Sequence, residues 1–100
     1  TLNISIKNHI IEIANPEYFF ANIKWSEIFP PENFFLSKAR VICKDKSYSA
    51  LIYIPDPSTK VDHFPIKSTI EVISQRIENI KYGNTLTLCY NPSAIKIMSA

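Results

Sequence analysis

Apolar and polar residues alternate at both ends of the chain, and the period changes in between. Leu2, Ile4 and Ile6 stand opposite Asn3, Ser5 and Lys7, the period-two pattern of a half-buried strand. Asn8-His9 can turn the chain, and residues 10–14 return with Ile11 and Ile13 inward, so a hairpin is expected. Residues 37–44 set Ala39, Val41 and Cys43 against Lys38, Arg40 and Lys44. A polar turn, Lys44-Asp45-Lys46-Ser47, leads into residues 48–54, which are apolar on both faces and read as a central strand. Residues 84–90 and 94–98 suggest a last hairpin about Asn91-Pro92-Ser93.

The period lengthens after Pro65. Ile70, Ile73, Ile77 and Ile80 recur at the spacing of one helical face. Ser68 and Glu71 match a capping box, Lys81 suits the last turn, and Gly83 fits the left-handed residue just past a helix. The β-branched Ile70, Val72 and Ile73 argue for a strand, but the start and stop signals decide for a helix over residues 69–82. Asn15-Pro16-Glu17 has the composition of a second helix start. That helix would run about three turns, to the stop at Pro30-Pro31, with Phe34 and Phe35 in the connector 32–36. The expected fold is a two-layer α+β domain of order ββαββαββ. It has a mainly antiparallel sheet of five to six strands with both helices on one face.

Composition narrows this picture. One hundred residues with 46% apolar and 20% charged content make a single domain with a packed core. A single glycine excludes the glycine-rich loops that cradle phosphates and dinucleotides, so no small-molecule cofactor is expected. No apolar run approaches the ~18 residues of a membrane span. The chain opens on Thr1, not Met, without a secretory signal, and reads as a domain of a longer protein in a reducing, cytoplasmic setting. Isoleucine, lysine and asparagine make up about a third of the chain, well above ordinary usage, as an AT-rich genome would give, that of a phage or other virus, a parasite or a low-GC bacterium.

Four groups of residues are candidates for chemistry. Cys43 and Cys89 with His9 and His63 have metal-ligand types but none of the close spacings of zinc modules, so both thiols are expected to be buried, and no metal. Asp62-His63, with Asp56 or Ser58, is an acid–imidazole pair in the proline-bracketed loop 55–65. It would suit a small hydrolase or nuclease, yet no nucleophile motif accompanies it. Seven of the twelve aromatics, Tyr18, Phe19, Phe20, Trp25, Phe29, Phe34 and Phe35, fall within residues 18–35. They exceed what one helix and a connector can bury, and surplus aromatics mark recognition surfaces. Phe20, Trp25, Phe29, Phe34 and Phe35 are the protein-binding candidates. Lys38, Arg40, Lys44 and Lys46 form a basic stripe beside Tyr48 and Tyr53, which suits single-stranded nucleic acid or simply protects a sheet edge. A net charge of +2 does not by itself imply nucleic acid.

The leading expectation is therefore a non-catalytic interaction or structural module, whose partner is another protein or the rest of a parent chain. The alternative is a nucleic-acid-contacting accessory domain of a polymerase or other large enzyme. The third reading is the small hydrolase or nuclease.

Overall fold

A computed structural model of the chain describes residues 2–24, 27–28, 30–56 and 68–99. Eight strands run through them: β1 (Leu2–Ser5), β2 (His9–Ile13), β3 (Tyr18–Ile23), β4 (Glu32–Cys43), β5 (Lys46–Pro55), β6 (Thr69–Ser74), β7 (Thr87–Tyr90) and β8 (Ile95–Ser99). Six of them build one sheet in the order β1-β6-β5-β4-β3, with β7 also paired to β4. The remaining two, β2 and β8, form a separate ribbon. All pairings are antiparallel.

No helix occurs among the described residues, which overturns the α+β expectation and its order ββαββαββ. The segment expected as the second helix begins with β6, where Ile70 and Val72 are buried and Ile73 is exposed. That is strand alternation, and β-branched side chains favour it. Ile77 joins the core and Ile80 packs against it from the irregular stretch after β6, so the helical spacing of the four isoleucines arises without a helix. Gly83 does have a positive φ, of 90°, but in a turn. The segment expected as the first helix holds β3, whose Tyr-Phe-Phe run suits a pleated surface. Its expected connector, residues 32–36, is the first part of the twelve-residue β4.

Both expected hairpins are corners instead. β1 pairs with β6 and β2 with β8, although a tight turn joins β1 to β2. In that turn the His9 amide donates to the Ile6 carbonyl at 3.0 Å, and Asn8 takes a φ of 61°. Likewise β7 lies on β4 while β8 crosses to β2. The amides of Ala94 and Ile95 donate to the Asn91 carbonyl, and the Ser93 amide donates to Asn91 Oδ1. Ala14 and Asn15, just past β2, both donate to the Ala94 carbonyl, which fastens the exit of the ribbon to the second corner. Strands that switch layers at corners are how one chain closes a two-layer β core.

The core lies between these layers. Val41, Cys43, Ala50, Ile52, Ile70 and Val72 of the large sheet cluster with Ile95 of the ribbon and Ile77. Ile11 and Ile97, registered opposite each other in the ribbon, pack against that cluster. The strand β5, expected to be central, does lie between β4 and β6.

One side of β4 is shared. β3 covers Glu32–Leu36 and β7 covers Ala39–Ile42, which leaves the Lys38 amide facing the junction. Glu17 fills it: Oε2 accepts from the Lys38 amide and Oε1 from Asn91 Nδ2, each at 3.2 Å. Burial works to raise the pKa of this carboxyl. The Ser37 hydroxyl, the backbone amides of Glu17 and Lys38, and the Asn91 amide outweigh it and hold the pKa below the ordinary carboxylate value. Ser37 Oγ itself is buried and lies near Glu17 short of full hydrogen-bond geometry.

Candidate functional site

Since the ribbon covers one face of the large sheet, strand alternation sends every second side chain to the other face. The register sets those residues in rows. Phe20 stands opposite Phe34, and Tyr18 opposite Leu36, which is opposite Tyr53 and then Glu71. Lys38, Leu51 and Ile73 form the next row. Cys89, Arg40 and Ser49 form the one after it. The face thus runs from an aromatic end to a basic one.

At the aromatic end Phe20 stacks on Phe34 at 5.3 Å between ring centroids, and Phe34 meets Tyr53 at 5.3 Å in a tilted contact. Such cross-strand pairs stabilise a sheet beyond the area they bury. The Tyr53 hydroxyl donates to Glu32. Burial first, then that bond and the charges of Glu32 and Glu71, drive the Tyr53 pKa well above the ordinary phenol value. Tyr53 is therefore a neutral structural group. Phe34 is 6% exposed, whereas Tyr18 and Phe20 are 39% and 40% exposed.

Toward the basic end a shallow depression is lined by Lys38, Arg40, Ser49, Leu51, Ile73 and Cys89. Lys38 Nζ lies 5.9 Å from the Tyr18 ring centroid, within cation–π range. Arg40 Nε donates to Ser47 Oγ at 2.9 Å, which orients the guanidinium. Among the described residues the one ion pair is Lys24–Glu27, so Lys38 and Arg40 carry charge without a carboxylate partner there.

The aromatic candidates separate on the sheet. Phe20 and Phe34 share the open face, where Phe34 is buried in the ladder. Phe35 lies on the opposite face, 4.8 Å from Phe19. Trp25 and Phe29 lie outside the described residues, as do Ser58 and the Asp62-His63 pair. The basic stripe also divides. Lys38 and Arg40 sit together, but Lys44 is in the two-residue turn after β4, with Nζ donating to the Asn79 carbonyl at 3.4 Å. Lys46 registers with Cys43 on the core side. Of the two thiols, both free, Cys43 is buried as expected but Cys89 is exposed; a strand at the margin of a sheet protects only the side chains on its covered face. Tyr18, Leu51 and Ile73 were not singled out from the sequence. Their signal is alternation within β3, β5 and β6, which the helical expectation hides for β3 and β6 and which apolar residues on both faces hide for β5.

Among the described residues no group of three or more metal-ligand side chains converges, and no helix is long and apolar enough to cross a membrane. Compared with family models, curated proteins and solved structures, the chain matches none of them significantly.

Proposed function

We propose that the chain is a non-catalytic interaction module that meets its partner through the open face of the six-stranded sheet. The observation that carries this reading is the company of exposed Tyr18, Phe20 and Ile73 with Lys38 and Arg40 on one side of a single sheet. A face that only needed solvating would carry polar side chains at alternate positions. Aromatic and arginine side chains are those that anchor interfaces, and a contiguous apolar patch with a charged rim is a contact surface.

A photo-crosslinking phenylalanine analogue placed at Tyr18 or Ile73 tests this in the native host. Tyr82, fully exposed on the turn beyond β6, serves as control. The expected result is one saturable crosslinked species from the first two positions, lost when Lys38→Glu and Arg40→Glu are added, and none from Tyr82. Identical products from all three positions would contradict the reading.

A further inference from the structure

Resting on that reading of the open face, we infer that its ligand is single-stranded nucleic acid, with bases on Tyr18 and Phe20 and phosphates at Lys38 and Arg40. Tyr18 and Phe20 are two residues apart on β3, so they face the same way about 6.6 Å apart along the strand. That is roughly twice the 3.4 Å rise of a stacked strand, so two successive bases, once unstacked, each meet a ring. Exposed rings on a sheet are the platform on which single-stranded bases stack, whatever their sequence.

The cations stand where the backbone of such a strand would run. Lys38 lies beside the Tyr18 ring, at 5.9 Å. Arg40 is the next residue on that face of β4, and its Nε bond to Ser47 leaves the terminal nitrogens to fork around a phosphate. Among the described residues the acids of the face, Glu32 and Glu71, act on Tyr53, and neither forms an ion pair with Lys38 or Arg40. Glu17, beside the backbone of Lys38, is engaged by the Lys38 amide and Asn91. Lys44 and Lys46 lie outside it, so the site offers two phosphate contacts rather than four. An acidic peptide would also meet the two cations. The paired exposed rings favour the nucleic acid.

The experiment is a fluorescence anisotropy titration of labelled dT12 and rU12 between 20 and 200 mM salt. Two contacts predict a slope of log affinity against log salt near −1.4, from about −0.7 for each phosphate on a single strand. Tyr18→Ala should weaken binding about tenfold with the slope unchanged, and Tyr18→Phe should retain it, which separates stacking from loss of fold. Lys38→Glu with Arg40→Glu should flatten the slope, while Lys44→Glu with Lys46→Glu should leave it alone. No binding of either oligonucleotide at 20 mM salt would overturn the inference. So would equal sensitivity to the Lys38–Arg40 and Lys44–Lys46 charge reversals, or binding of a labelled acidic peptide in place of the oligonucleotides. If the crosslinks from Tyr18 and Ile73 persist in those cases, only the ligand class has failed; if they vanish too, the contact surface itself has failed.

Discussion

Single residues decide how this chain turns, because it has so little glycine. Asn8, Asn22, Lys44, Asp45 and Asn79 all take positive φ, a region that costs side chains about 1 kcal/mol or more. Lys44 and Asp45, at φ 49° and 66° between the registered Cys43 and Lys46, make a two-residue turn of the kind that favours Asn-Gly. Replacing Lys44-Asp45 by Asn-Gly should therefore raise stability by about 0.5–1 kcal/mol, measured by urea melts. Gly83→Ala should destabilise by about 1 kcal/mol through φ alone, since a Cβ there meets nothing within 4 Å. Glu17 acts through charge as well as geometry. Its folded-state pKa is lowered from 4.5, so its contribution is present above the unfolded value and is lost as pH falls through the folded one. Exposure to solvent keeps this contribution below about 1 kcal/mol. Glu17→Gln should lower the melting temperature at neutral pH, and the gap should close as pH falls below 4.5 and through the lowered folded-state value. Faster hydrogen exchange at the Lys38 amide should accompany it.

At the scale of elements, β6 shows what a sequence pattern can and cannot decide. Ile70, Ile73, Ile77 and Ile80 satisfy a helical period, yet residues 69–74 also satisfy alternation. A capping box and a terminal glycine favour the helix, though serine and glycine serve turns equally well: Ser68 and Gly83 lie in turns and Glu71 within β6. The strand makes a different forecast from the helix. Ile70→Ala should cost about 2–5 kcal/mol because the side chain is buried in the core, and Ile73→Ala less than about 1 kcal/mol because it is 39% exposed. A helix would have weighted both alike. Where alternation met no competing signal it was sound: Val41 and Cys43 face the core, Lys38 and Arg40 face away. What alternation could not reveal was partnership. Leu2, Ile4 and Ile6 alternate in the same way whichever strand lies beside them, so the exchange of neighbours at Asn8 and Asn91 left no mark on the pattern.

For the whole molecule, that exchange determines where function can reside. Because β2 and β8 leave the large sheet and cover one of its faces, the other is left with Tyr18, Phe20, Leu51 and Ile73 beside Lys38 and Arg40. The surplus of aromatics and the basic pair were legible in the sequence. Their meeting on one surface was not, since it depends on β3 being a strand and on register across three others. The two cysteines report on this division directly: Cys43 lies in the covered core, and Cys89 stands opposite Arg40 on the open face. The decisive measurement is thiol labelling of the native protein, followed by mass mapping of the two cysteine-containing peptides. The two-faced sheet predicts rapid modification of Cys89 alone, with Cys43 reacting only after denaturant is added. Protection of Cys89, or equal labelling of both thiols in the native state, would contradict it.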